Sequence, residues 1–247
     1  AWDETDPDDP FPCPLYLQAL AACTPTATYT ANPLEAGATT PFHTGDRQVV
    51  GGSVSGGGED GTFYISAERL DEVGVYSSDN ELERLNFQAN ATGTVGPKLS
   101  VRANLGFVES ELQLPQGDNA LFGIVPMGLF GDADPGSVAA TGGFESDPAF
   151  HYDWQTWQDQ SRFTGSVGAD YRPTSWLSFN GTAGMERITR EEQNRIPRVS
   201  AFNVFGSIYS EGWIQIFDYD IYNINTNASG TAIFDLTPDL ISTSTLG

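Results

Sequence analysis

Over three stretches of this chain apolar and polar residues alternate strictly, and each stretch runs through a short proline turn into another of the same kind. Residues 85–95 lead through Gly96-Pro97-Lys98 into 99–107; residues 163–171 lead through Arg172-Pro173-Thr174-Ser175 into Trp176-Leu177-Ser178; residues 222–236 lead through Thr237-Pro238-Asp239 into Leu240-Ile241-Ser242. In the first unit Leu85, Phe87, Ala89, Ala91 and Val95 share one parity, and Asn86, Gln88, Asn90, Thr92 and Thr94 the other. Beyond the turn Leu99, Val101, Ala103, Leu105 and Phe107 oppose Ser100, Arg102 and Asn104. Side chains in a strand point alternately to opposite sides, so the pattern predicts a sheet with one oily and one wet surface. Glycine-punctuated pairs at 47–56 and 62–70 add a further hairpin around Gly57-Gly58-Glu59-Asp60-Gly61, for about eight strands or parts of strands.

A water-soluble antiparallel sheet alternates equally well. Connection lengths favour a membrane. Proline turns of a few residues stand at one end of the hairpins, and long excursions over 112–160 and 191–209 stand at the other. Short turns on one rim and long loops on the opposite rim are the pattern of outer-membrane barrels. The expected fold is therefore all-β: an antiparallel, up-and-down transmembrane β-barrel segment over residues 46–247. An acidic, Pro-rich loop segment over 1–45 precedes it. The alternation stops inside an unfinished strand at Gly247, so the barrel portion reads as cut at both ends.

No run of eighteen or more apolar residues exists that would make a transmembrane helix, although barrel strands need none. The chain opens on Ala1-Trp2-Asp3, so any leader lies outside it. Thirty-three acidic residues against eleven basic ones give a formal net charge of −22, which excludes nucleic acid as a partner because phosphate binding needs cationic contacts. Cys13 and Cys23, close together in a Pro-rich setting, point to a disulfide rather than a metal site, and hence to an oxidising compartment.

Candidate chemistry is sparse. Gly56 to Gly61 fits the dinucleotide glycine pattern by letters, but an alternating strand follows it where a helix would be needed, so it reads as a hairpin turn. His43 and His151 have no metal-ligand spacing around them, and no nucleophile elbow exists. A glycan-active enzyme would need two opposed carboxylates, and no motif singles out a pair. The matches to the glycosylation sequon at Asn90, Asn180 and Asn227 fall on the polar parity, where alternation puts Asn and Thr in any case. The stretch Asp3-Glu4-Thr5-Asp6-Pro7-Asp8-Asp9-Pro10 offers oxygen ligands to calcium but lacks the spacing and glycine of a calcium loop; a solvated acidic segment is the favoured reading. Tyr152, Trp154 and Trp157, at the end of the long excursion, would either stack on a sugar or peptide ligand or sit at a membrane interface.

One order of motifs carries a resemblance. Ser53-Val54-Ser55-Gly56-Gly57, Phe63-Tyr64-Ile65-Ser66, Asp71-Glu72-Val73-Gly74-Val75-Tyr76 and Glu83-Arg84-Leu85-Asn86-Phe87-Gln88-Ala89-Asn90 follow one another as in the early barrel of SusC/RagA-type TonB-linked outer-membrane transporters. Gln88 stands where that family carries a second arginine, and the turns at Pro173 and Pro238 resemble its periplasmic turns. The resemblance implies an interior part of a plugged barrel in the bacterial outer membrane. Its partners would be the rest of its own barrel and plug, TonB, a SusD-like lipoprotein, an oligosaccharide or peptide ligand, and the bilayer. No plug, TonB box or terminal assembly strand is found in this sequence. On that basis Asn86, Gln88, Asn90, Arg102 and Asn104 are expected to face the lumen. Leu85, Phe87, Val101, Leu105, Phe163 and Phe179 would face lipid. No cofactor or catalytic residue is expected. The alternative is a secreted or surface structural β protein that assembles through open strand edges.

Overall fold

The computed structural model describes residues 2–3, 11–76, 80–115, 123–146, 154–196, 198 and 211–247. Its body is one eight-stranded antiparallel sheet in which every strand pairs with its neighbours in sequence. The strands are β3 (Asp46–Gly58), β4 (Gly61–Val73), β5 (Glu81–Val95), β6 (Leu99–Pro115), β7 (Gln155–Thr174), β8 (Leu177–Ile196), β9 (Trp213–Thr237) and β10 (Leu240–Leu246). Two-residue strands β1 (Trp2–Asp3) and β2 (Phe11–Pro12) pair with each other apart from this sheet. Gly58 faces Gly61 across the Glu59-Asp60 turn, so the glycine run is a hairpin. Gly96, at φ 67°, takes the left-handed conformation that lets Val95 face Leu99 across the next turn. The short turns share one rim, and the strand ends Val73 and Glu81, Pro115 and Gln155, and Ile196 and Trp213 share the other.

The long strands exceed their alternating stretches. Beyond Phe107 and Phe163 the formerly apolar parity carries Glu109, Glu111, Asp159 and Ser161, yet β6 and β7 stay in register as far as Pro115↔Gln155. Backbone pairing needs no apolar side chain, so the oily pattern ends before the strand does.

The sheet is open, which corrects the barrel segment expected from the alternation and the loop asymmetry. Closure would need the first and last strands to pair. Instead, among the described residues, β3 pairs only with β4, and β10 pairs only with the end of β9. Alternation assigns faces to strands; it carries no information about which edges meet. The accessible surface of 15769 Å² reflects this openness. A compact monomer of this mass would expose about 10,700 Å².

What buried core exists is mostly in the loops. Ile124 and Met127 of α2 (Ile124–Phe130) pack with Phe144, Leu34 and Tyr76. Asp134 caps α3 (Pro135–Thr141) by accepting from the Gly136 and Ser137 amides, with Pro135 pre-set at the first turn. The short helix α1 (Leu15–Ala19) lies inside the Cys13–Cys23 disulfide, as the cysteine spacing led one to expect. The acidic stretch proposed as a calcium ligand set lies, over residues 4–10, outside the described residues.

Candidate functional site

Register decides what each face offers. On one side Asn90 faces Asn104, Asn104 faces Ser166, and the row continues through Gly184 to Asn225. The neighbouring rows add Gln88, Thr164, Glu186 and Asn223 on one flank, and Thr92, Arg102, Gly168, Thr182 and Asn227 on the other. Asn86, Gln88, Asn90, Arg102 and Asn104 thus share one face. All but Arg102 line a shallow depression of about 350 Å³ around Gly106, together with Arg162, Thr164 and Ser166. A Cβ on Gly106 would come within 2.5 Å of the Thr164 hydroxyl, so only glycine leaves this floor open.

Two carboxylates in the middle of this face, Asp170 and Glu186, are occupied. Arg102 donates to Asp170 at 2.6 Å and to the Thr182 hydroxyl at 3.3 Å, and Asn180 donates to the other Asp170 oxygen. Arg102 reaches both by lying across Gly168, where a Cβ would meet its Nε at 2.6 Å. Arg162 donates to Glu186 at 2.6 Å, and Asn223 donates to its second oxygen at 2.9 Å. Asn104 donates to Ser166 at 3.1 Å. Each negative charge therefore has one guanidinium and one amide. What remains free to meet a solute is neutral amide and hydroxyl, able both to donate and to accept.

The opposite face has two zones. From the short-turn rim up to Phe87, Phe107 and Phe163, which face one another in a row, it carries Val101, Ala103, Leu105, Val167, Ala169, Ala183 and Met185. Tyr171 stacks on Phe179 near the lower limit, with ring centroids 6.5 Å apart. Leu99 to Phe107 spans about 27 Å along the strand. The larger residues of this band are uncovered: Leu105 is 48% exposed and Val167 60%.

Above the phenylalanine row this face turns acidic. Asp71 faces Glu83, Glu83 faces Glu111, Glu111 faces Asp159, Asp159 faces Glu191 and Glu191 faces Asp218. Six carboxylates thus form one row across six strands. Arg69 engages both Asp71 and Glu83, at 2.7 and 2.8 Å. Asp220, one step below the row, pairs with Arg187, which stands in the phenylalanine row opposite Phe163 and lies over the Tyr222 ring. Among the described residues Glu111, Asp159, Glu191 and Asp218 form no ion pair. Neither this row nor the Arg102–Asp170–Asn180 cluster was singled out from the sequence; parity puts each residue on its face, but only register aligns them.

The loop aromatics separate. Trp154 packs edge-on against Trp213 with centroids 6.2 Å apart, while Trp157 stands in β7 between Gln113 and Gln193, on the side bearing the acidic row. Tyr152 and His151 lie outside the described residues. His43 is placed by its backbone, whose amide donates to the Val75 carbonyl at 2.8 Å. Among the described residues no group of three or more His, Cys, Asp and Glu side chains is placed to hold a metal ion.

No protein-family model and no curated protein sequence matches the chain. Among solved structures it is similar to the RagAB peptide importer in its closed-closed state, with a TM-score of 0.65 and 16% identity over 87% of this chain. A second structure of the RagAB peptide transporter gives a TM-score of 0.64, again at 16% identity. The chain spans about a quarter (25%) of the length of those chains. This likeness establishes a shared fold over the aligned strands. The expected identity as an interior segment of a SusC/RagA-type barrel is corrected: the likeness is distant and partial, and the sheet is open.

Proposed function

We propose that this chain forms the wall of a solute path in an outer-membrane transport assembly and performs no catalysis. The observation that carries the reading is the division of one sheet into two solvents' worth of surface. One face is amide and hydroxyl with its carboxylates neutralised, as at Asp170 and Glu186. The other is an apolar band about 27 Å deep, close to the roughly 25 Å lipid-facing band of outer-membrane proteins, and it has aromatic residues at both limits. Solute would pass over Asn86, Gln88, Asn90, Arg102 and Asn104, while Leu85, Phe87, Val101, Leu105, Phe163 and Phe179 would face lipid. Amides that donate and accept at once suit oligosaccharides or peptides, and fold likeness to a peptide importer supports cargo of that kind. A TonB-type energy source, a SusD-like lipoprotein and Trp154 as a ligand contact belong to the same proposal, while Trp157, on the face away from the solute path, would sit at the membrane interface.

Single-cysteine variants test it. In lipid, Asn104→Cys should react with a water-soluble maleimide and Leu105→Cys should not, whereas a fluorophore attached at Leu105→Cys before reconstitution should be quenched by brominated acyl chains. Equal reaction at both positions would overturn the reading. The two uncovered sheet edges favour a second reading, a secreted or surface structural protein; it requires the native chain to stay soluble or polymeric without detergent.

A further inference from the structure

The face assigned to solute changes character away from the short-turn rim. Around the depression at Gly106 it is amide and hydroxyl, but one row higher Asn86 faces Val108 and Arg162 faces Ile188. Two rows beyond that, Leu82 faces Leu112. Arg84 stands between these rows, facing Leu70 on β4 and Ser110 on β6. Leu82 is its neighbour along β5, and Val108 and Leu112 are its diagonal neighbours on β6, within reach of a long side chain. Leu70 is buried and Arg84 itself half-buried. A guanidinium is thus set among aliphatic side chains, about 7 Å along the strand from Asn86, a residue that lines the depression.

Four other arginines of this face are spent. Arg102 pairs with Asp170, Arg162 with Glu186, Arg190 with Glu192 and Arg47 with Glu72. Arg84 forms no ion pair among the described residues. A shortage of carboxylates is not the reason, since the chain has thirty-three acidic residues to eleven basic ones. The carboxylates nearest in register are Glu68 and Glu72, on either side of Leu70. Glu72 is taken by Arg47, and Glu68 faces Asn86 and forms no ion pair with Arg84. Aliphatic neighbours keep water from part of the Arg84 guanidinium, so an anion there gains more than it would on an open surface. Its parallel N–H donors make the fork that a carboxylate fits and a hydroxyl or amide does not.

We propose that Arg84 is a carboxylate-binding site on the solute face. A solute bearing a carboxylate, whether a peptide or an acidic sugar, is held there by its charge while its neutral part lies against Asn86 and Gln88 in the depression. The inference rests on the solute-path reading for the face it uses, and it deepens that reading by selecting anionic cargo over neutral oligosaccharides.

The test is calorimetric binding to the full chain in lipid vesicles, with two matched pairs of ligands. One pair is N-acetylated trialanine with a free carboxyl group and the same peptide as its amide. The other is trigalacturonic acid and its methyl ester. The acid should bind about tenfold more tightly than its neutral partner in at least one pair. Preference in the peptide pair alone assigns the carboxylate to peptides, and in the sugar pair alone to acidic sugars. A net charge of −22 biases the protein as a whole the other way, so general electrostatics cannot produce this preference. Arg84→Gln should abolish it, Arg84→Lys should keep part of it, and Arg172→Gln, at the short-turn rim, should leave it intact. Three results would overturn the proposal: no binding of either acid, neutral ligands bound as well as the acids in both pairs, or an acid preference that survives Arg84→Gln. Labelling of Asn104→Cys and Leu105→Cys judges the path separately. If the acid preference fails while that labelling pattern holds, the site falls and the path stands; the converse result removes the path and leaves the site.

Discussion

Asp170 and Glu186 on one face, and Glu111, Asp159 and Glu191 on the other, are the same chemistry treated in opposite ways. The first two each have an arginine and an asparagine on their two oxygens. The other three face like charges on neighbouring strands and form no ion pair among the described residues. At Asp170 and Glu186 charge is consumed inside the sheet. The acidic row is unfinished: repulsion between adjacent strands is tolerated where the strands stand beyond the apolar band and water can relieve it.

The sharpest break in this comparison is to put a charge where neither face admits one. Leu105→Arg should weaken insertion into lipid vesicles by about 2–4 kcal/mol, while Asn104→Ala, one residue away on the amide face, should leave insertion unchanged. A folding titration into vesicles measures both, and equal tolerance would sink the face assignment. Gly168→Val should come next, costing about 1–3 kcal/mol in urea unfolding, because its Cβ takes the space across which Arg102 lies. In an Arg102→Ala background most of that cost should vanish. Arg102→Ala alone should cost no more than about 1 kcal/mol, since both partners of the Asp170 pair are some 40% exposed (40% and 39%). The smallest effect carries the opposite sign. Glu191→Gln should stabilise by about 0.2–1 kcal/mol by relieving Asp159 and Asp218. That gain should fade in 1 M salt, where the Debye length drops to about 3 Å. A loss of stability in Glu191→Gln at low salt would mean the row is not repulsive.

Much of this was legible before any coordinates. The parity of residues 85–107 puts Asn86, Gln88, Asn90, Arg102 and Asn104 on one face and Leu85, Phe87, Val101 and Leu105 on the other, and the structure has them so. Alternation succeeds there because a strand has only two sides. It failed on strand length, since β6 and β7 stay paired as far as Pro115↔Gln155, inside the stretch read as a long excursion, and on closure, since a closed and an open sheet share the same alternation. The long excursions could not be read at all. The α2 and α3 core of Ile124, Met127 and Phe144 has no period, being held by caps and a few contacts with Leu34 and Tyr76.

By itself the sequence determined the two faces, the hairpin registers and the disulfide. A tight turn such as Gly96-Pro97-Lys98 sets Val95 against Leu99 and hence every pair above it, including Glu83 against Glu111. Tertiary structure alone decided the pairings across the long connections, Glu111 with Asp159 and Glu191 with Asp218, and with them the acidic row. It also decided that the edges stay apart. The reason is entropic: closing a loop of many residues costs little more than closing a shorter one and imposes no register, so the match is made by side chains meeting across strands that the chain itself does not align.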